Sequence, residues 1–357
     1  MIAIASPPQA KASSPSSGKA RKKVLFHLPK CILSRCFAVR DLARLEKHFD
    51  CVYPGTGGAG ELARTWDACV PDSDAVVTGW DSPPITEAML AAAVKLEVIV
   101  HSAGSIRPFI PASVWQSGVR IATANDALGK GVAETTMGLI IAALKGFFPC
   151  ATLTRAGAWQ SAIPARGIGR VRELYDVTVG LIGAGRTGRH VLRLLSEFEA
   201  DVVLCDPTIS ASEAGELGAA RLVPLDELMR ISDVVSLHAP ALPQLRHMLG
   251  PREFGAMKDD AIFINTARGM LVDEAALMQE LATGRIAAIL DVTSPEPPAA
   301  DSPLRSLPNV TLLPHIAGAI STGCLRQGRS AVEQLLEFAR GEPMQGEITH
   351  ERFVTMA

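Results

Sequence analysis

The stretch Val177-Thr178-Val179-Gly180-Leu181-Ile182-Gly183-Ala184-Gly185-Arg186-Thr187-Gly188 constrains this chain more than any other. An apolar, β-branched run feeds directly into Gly-x-Gly-x-x-Gly, and apolar residues at helical spacing follow at Val191, Leu192, Leu194 and Leu195. Eighteen residues beyond Gly188, a second apolar run ends on Asp206. Strand, glycine turn, helix, strand and acid in this order are the layout of a dinucleotide-binding βαβ unit. Gly183 permits the tight turn, Gly185 lets backbone approach a pyrophosphate, and Gly188 lets the helix pack on the strand. Arg186 and Thr187 open that helix, whose free amides and dipole face the phosphates. Asp206 is placed to accept hydrogen bonds from the adenosine ribose. Its charge repels a 2′-phosphate, and residues 207–213 carry no Lys or Arg to neutralise one, so NAD is expected over NADP.

At 357 residues the chain can build two cores. A composition 48% hydrophobic but only 5% aromatic suits aliphatic α/β layers better than an aromatic-rich sandwich. The net charge of −2 gives no general attraction to nucleic acid or acidic membranes. No apolar run approaches the ~20 residues that span a bilayer; the longest candidate, 137–144, reads as a buried helix segment. The seven cysteines are scattered, with no Cys-x-x-Cys and no zinc-ligand spacing. They read as reduced, mostly buried thiols of a cytoplasmic protein, with no metal site expected.

Residues 1–21 are dominated by Ser, Pro, Ala and Lys, and residues 1–40 hold no acidic side chain. The apolar core of a secretory signal is missing, and Pro7, Pro8 and Pro15 oppose the amphipathic helix of an organelle-targeting segment. A disordered tail is the expectation.

Beyond the tail, short apolar runs alternate with helical stretches, which predicts α/β architecture with parallel sheets. Strands are expected at 24–28, 75–78, 98–100 and 120–123, with helices at 41–49, 61–68 and 86–94. A long apolar helix is expected over 129–147, then a polar connection over 155–173. Further strands are expected at 221–223, 234–238, 261–265, 287–290 and 310–312, with a Pro-rich loop at 294–303 and a last helix at 322–340.

Three of these strand ends carry polar groups that a sheet does not need. Arg268 follows the strand ending at Asn265, where open α/β sheets bind ligands and a guanidinium can grip a carboxylate or polarise a carbonyl. Asp291 ends the next strand, and Glu296 lies five residues on in a Pro-bounded loop. His315 follows the last strand. A His is the natural proton donor near neutral pH, and a carboxylate beside it favours the imidazolium and orients the ring. Singly each reads as structural; together, behind a dinucleotide unit, they point to carbonyl reduction.

With Val235-Ser236-Leu237-His238-Ala239-Pro240, Asn265 through Asp273, and Pro314-His315-Ile316, the chain resembles the NAD-dependent D-isomer-specific 2-hydroxyacid dehydrogenases over residues 22–340. That family includes phosphoglycerate, glyoxylate/hydroxypyruvate and D-lactate dehydrogenases. The resemblance implies that Arg268 binds substrate, that His315 is the general acid/base and that Glu296 pairs with it. It implies that Asp291 holds the nicotinamide carboxamide and that Ala239 and Pro240 wall the adenine site. His238, Thr266, Ala267 and Gly318 complete the implied cofactor set.

It further implies a doubly wound NAD-binding Rossmann domain over 128–317 and a flavodoxin-like substrate domain split between 22–127 and 318–350. The substrate domain is completed by the C-terminal helix, and the protein is implied to be a homodimer. The substrate is a small 2-oxo or 2-hydroxy acid, held by the amides of Ala103, Gly104 and Ser105. Family members usually carry Gly-Ala-Gly-Val-Asp-Asn in that loop, whereas this chain reads Ser102-Ala103-Gly104-Ser105-Ile106-Arg107. Arg107 is expected to face solvent, with contact to a second acidic group on the substrate as the alternative. Thr135 stands where His is frequent. Two other readings remain open on this scaffold: a phosphite-type dehydrogenase and an NADH-sensing, corepressor-like binding protein. Formate enzymes fit less well, since they carry Gln where Glu296 stands.

Overall fold

Runs of Val, Ile, Leu and Ala buried on both faces form the centres of two sheets, as parallel strands covered by helices require. A computed structural model describes residues 21–55, 58–159 and 171–356. The tail expected over 1–21 lies outside these residues except for Arg21, and so does most of the connection expected over 155–173.

The first sheet contains β1 (Lys22–Phe26), β2 (Phe49–Val52), β3 (Ala75–Thr78), β4 (Val98–His101) and β5 (Arg120–Thr123), all parallel. The second contains β6 (Tyr175–Ile182), β7 (Glu199–Cys205), β8 (Arg221–Leu222), β9 (Val234–Leu237), β10 (Ile262–Asn265), β11 (Ala287–Leu290) and β12 (Val310–Leu312). Its order, β12-β11-β10-β9-β6-β7-β8, reverses direction at β6, and the crevice between β6 and β9 is where doubly wound sheets bind ligands. A short β13 (Glu347–Ile348) adds antiparallel to β5, giving the first sheet the order β13-β5-β4-β3-β1-β2. Its five parallel strands have the flavodoxin-like order.

Register aligns the chemistry. Ile182 pairs with both Cys205 and Leu237, Asn265 with Leu237 and Leu290, and Leu290 with Leu312. The carboxyl ends of six strands therefore form one row, and the residues just past them share one edge of the sheet.

Two helices join the sheets. Asn125–Leu144 leaves β5 and buries Met137, Leu139, Ile140 and Leu144 with Val191 and Leu192 against the second sheet. Thr322–Arg340 returns, packing Ala331, Val332 and Leu335 onto Val24, Phe26 and Val100 of the first. By length and composition Asn125–Leu144 is long and apolar enough to cross a membrane, although Asp126, Lys130 and Glu134 interrupt its apolar residues. Half of it is buried, and its first turns carry Asp126 and Lys130.

Several elements differ from the sequence reading. The helix expected over 41–49 ends at Leu45, and Phe49 instead opens β2, paired with Lys22. The helical apolar pattern had run on into an edge strand defined by its partner. The helix expected over 129–147 begins at Asn125 and stops where Gly146 turns left-handed (φ 62°), and a separate helix, Phe147–Arg155, follows. A terminal helix, His350–Thr355, extends past the expected boundary at 350. Only Cys36 and Cys324 of the seven unbonded cysteines are fully buried, and Cys31 is exposed. Among the described residues no cluster of His, Cys, Asp or Glu could hold a metal ion.

Candidate active site

The glycine turn is shaped by contacts that leave no room for side chains. Gly183 has φ +100°, and a β-carbon there would lie 2.8 Å from the Ala239 amide nitrogen. A β-carbon on Gly188 would lie 2.1 Å from the Gly183 carbonyl oxygen. One on Gly185 would meet nothing within 4 Å, so the turn is closed beneath and open above, the cradle a pyrophosphate needs. Arg186 and Thr187 begin the Arg186–Leu195 helix over this opening.

Asp206 stands at the end of β7, where Oδ2 accepts from the Ala184 amide (2.6 Å) and Oδ1 from the amide (2.8 Å) and hydroxyl (2.6 Å) of Thr208. The fold also brings in a cation from outside residues 207–213, since Arg189 donates to the Ala184 carbonyl and to Glu213. It is already paired, so the acid at Asp206 still governs this end. Past β9, His238 is buried, which lowers its pKa to about 4 and keeps it neutral. Its Nε2 contacts Ser236 Oγ at 2.9 Å while its buried Nδ1 has no partner, and Ala239 and Pro240 follow along the crevice. An NAD cofactor fits this set of a glycine cradle, a ribose acid and an orphaned ring nitrogen.

Past β10, the hydroxyl of Thr266 meets Thr136 at 2.9 Å and the Ala267 amide donates to Asn265 Oδ1. Asn265 also donates to the Arg268 carbonyl, so one buried amide shapes the loop that presents Arg268. Burial lowers the pKa of Arg268, and the negative charge of Glu296 opposes that shift. The Arg268 and Glu296 loops interlock at Gly269, where a β-carbon would lie 2.0 Å from the Thr293 carbonyl oxygen.

Asp291 organises the third loop. Its carbonyl accepts from the His315 amide (2.9 Å), and its carboxylate from the amides of Ile316 (2.8 Å) and Ala317 (2.9 Å). These bonds hold His315 in the left-handed region (φ 56°), a conformation that costs a non-glycine residue about 1–3 kcal/mol. In that position His315 Nδ1 is 2.6 Å from Glu296 Oε1.

From the first sheet, Ala103 is buried past β4, and the amides of Ala103 and Gly104 have no acceptor among the described residues. The structure joins this loop to the His315 loop through Leu128, a residue the sequence reading passed over. β-Carbons on Gly104 and Gly318 would lie 3.5 and 3.3 Å from its methyl groups. The next residue, Gly129, approaches the Thr187 amide as closely as 3.4 Å from its β-position. The glycines at 129 and 131, inside a helical pattern, were the available signal of close approach.

Ser105 accepts from the Arg107 amide at 3.4 Å. The side chain of Arg107 contradicts its expected solvent role, because it donates to the carbonyls of Phe353, Val354 and Met356. Thr135 bonds back to the Gly131 carbonyl within its own helix.

A cradle for a dinucleotide, with an Arg and a Glu–His pair on neighbouring strand ends, is the arrangement of a nicotinamide-dependent oxidoreductase. Residues 137–317 match the family described as D-isomer specific 2-hydroxyacid dehydrogenase, NAD binding domain. A D-3-phosphoglycerate dehydrogenase of Methanocaldococcus jannaschii is 33% identical over 76% of this chain and 51% of its own length. A glyoxylate reductase of Korarchaeum cryptofilum is 32% identical over 88% of this chain and 94% of its own. The apo D-mandelate dehydrogenase of Rhodotorula graminis superposes with a TM-score of 0.79 at 21% identity, covering 92% of this chain and 98% of that one. The chain belongs to the D-isomer-specific 2-hydroxyacid dehydrogenase family. It spans about half the length of the phosphoglycerate dehydrogenases it matches.

Proposed function

We propose that the protein reduces a small 2-oxo acid to the 2-hydroxy acid, or runs the reverse oxidation, with Arg268, Glu296 and His315 as its catalytic residues. The observation that carries this reading is the 2.6 Å contact between Glu296 and His315, in a loop interlocked with that of Arg268. NAD(H), when bound, supplies or accepts the hydride. The free amides of Ala103 and Gly104 and the guanidinium of Arg268 bind the substrate carboxylate, and Arg268 also polarises the carbonyl. Glu296 accepts from His315 Nδ1 and fixes the ring, leaving Nε2 to give its proton to the developing alkoxide. Asp291 positions that His through its loop, and any bond to a nicotinamide carboxamide would use the acceptor capacity its carboxylate has left.

The substrate domain in this reading is 22–127 with 318–350 and the terminal helix beyond, around a cofactor domain at 128–317. A homodimer is proposed on the face where the exposed rings of Tyr175 (67% exposed) and Phe198 (40%) line a groove with Ile141 and Leu144. Tyr175→Lys with Phe198→Lys should shift the mass in solution from dimer to monomer. A cytoplasmic location is proposed from the scattered, unbonded cysteines.

The test follows NADH absorbance with glyoxylate, hydroxypyruvate, pyruvate, phenylpyruvate and 2-oxoglutarate, with His315→Ala as control. Turnover lost in the variant supports the assignment. Turnover retained at the parent rate refutes the role of His315. NADH binding without turnover of any acid, followed by NAD reduction with phosphite, would replace the substrate class. Failure of phosphite as well would favour a sensor.

A further inference from the structure

The loop that presents the amides of Ala103 and Gly104 is tied down at both ends and bare between them. At its start, the amide and hydroxyl of Ser102 both donate to the Thr78 carbonyl at the end of β3 (2.8 and 2.9 Å). At its far side, Ile106 is fully buried in a cluster with Val114, Ile121 and Ile348. Apolar burial sets how deep the loop lies but has no direction. Direction comes from Arg107. Its Nε donates to the Met356 carbonyl and its Nη2 to that of Val354, both at 2.9 Å. Nη2 also donates to the Phe353 carbonyl, and the cation lies 4.6 Å from the centre of the Phe353 ring.

These carbonyls close the His350–Thr355 helix, whose last turn has no donors of its own to meet them. One planar guanidinium reaches all three, a reach that the point-like ammonium of Lys does not have. The helix is itself held in place. Before it, Glu347 on β13 accepts two bonds from Arg120, both 2.7 Å. Beside it, Trp115 lies 5.0 Å from the Phe353 ring and 5.4 Å from that of His350. Arg107 therefore grips a fixed support, and its own amide donates to the hydroxyl of Ser105, the residue after Gly104.

We propose that Arg107 is a positioning residue for the substrate: by locking onto the terminal helix it holds the Ala103 and Gly104 amides at the angle that receives the carboxylate. Amides bind an anion well only when they are already aimed at it, so the anchor of a bare loop governs its affinity. The terminal helix then belongs to the substrate site without touching the substrate. The inference rests on the carboxylate-binding role proposed for this loop and not on the identity of the acid.

The carboxylate is held alike in the ground and transition states, so the loss should fall on KM and not on kcat. Arg107→Gln should raise KM about tenfold, the worth of one charged hydrogen bond, for the best-used acid among glyoxylate, hydroxypyruvate and pyruvate. NADH affinity, titrated by fluorescence, should stay at the parent value. Arg107→Lys should recover part of the loss. Phe353→Ala removes the ring beneath the guanidinium and should raise KM in the same direction, with the double variant falling short of the two effects combined. Hydrogen exchange over residues 102–109 should quicken in Arg107→Gln while that over 183–188 does not change. This reading needs no turnover: a parent inactive on every acid counts against the proposed function, and exchange then decides on Arg107 alone. Unchanged KM beside retained turnover, an equal weakening of NADH, or unchanged exchange over 102–109 overturns the proposal.

Discussion

Glu296 Oε1 lies 2.6 Å from His315 Nδ1, joining two loops that leave neighbouring strands. Both side chains remain more than two-fifths exposed (45% for His315 and 41% for Glu296). A pair so open to water contributes at most about 1 kcal/mol to folding. Its geometry therefore bears on the reaction far more than on stability. His315→Gln should melt close to the parent and bind NADH as well, while kcat for 2-oxo acid reduction falls by about 10²–10⁴. Stopped-flow turnover beside a thermal melt reads both. A melting temperature that collapses along with activity would make the pair structural.

Asp291→Ala should do the reverse, harming stability and rate together. Removing its carboxylate strands the amides of Ile316 and Ala317, and the buried Ala317 amide left unpaired costs about 1–3 kcal/mol by itself. The positive φ of His315 also loses its restraint. Urea unfolding and kcat should both fall, and an unchanged midpoint would contradict the positioning role.

Gly269→Ala tests the interlock of the Arg268 and Glu296 loops. The added methyl meets backbone atoms, with the Thr293 carbonyl oxygen 2.0 Å away and the Ser294 nitrogen 2.7 Å away, so a loop must move. Overpacking of this kind costs about 1–3 kcal/mol. The substrate KM should rise through the displaced Arg268, with NADH affinity measured alongside changing less.

Acid should destabilise the fold through its buried histidines. Burial lowers the pKa of His27 to about 4, His101 to about 3 and His238 to about 4, against 6.5 when unfolded. Between these values the unfolded chain holds protons that the folded chain refuses. Stability is then full above about pH 6.5 and is lost as pH falls toward about 4, by about 1.4 kcal/mol per pH unit for each histidine. Urea midpoints measured across this range should decline, and His101→Asn should flatten the slope. A midpoint independent of pH there would show that these rings are protonated in the native state.

The linear order of the chain carried much of this design. The glycine turn, Asp206 and the strand ends at Asn265, Leu290 and Leu312 were legible because each depends on local pattern: β-branched runs, a turn requiring φ > 0, a polar residue just past an apolar strand. β2 was misread because an edge strand of four residues is defined by its pairing with β1 and not by its own periodicity. β13, two residues long, carries no pattern of its own and exists only against β5. Leu128 was passed over for a related reason, since an apolar residue at the start of an apolar helix looks like any other core position.

The sequence by itself determined the α/β class, the dinucleotide unit and the residue types available for chemistry, because these follow from backbone periodicity and from what glycine, Arg, Glu and His can do. Only the tertiary structure decided which of them meet. Glu296 reaches His315 because register aligns the strand ends and Asp291 holds the loop between. Arg107 turns from solvent to the terminal helix because the carbonyls there need donors. A contact between distant residues depends on how two surfaces pack, and nothing in the local pattern of either segment specifies the other.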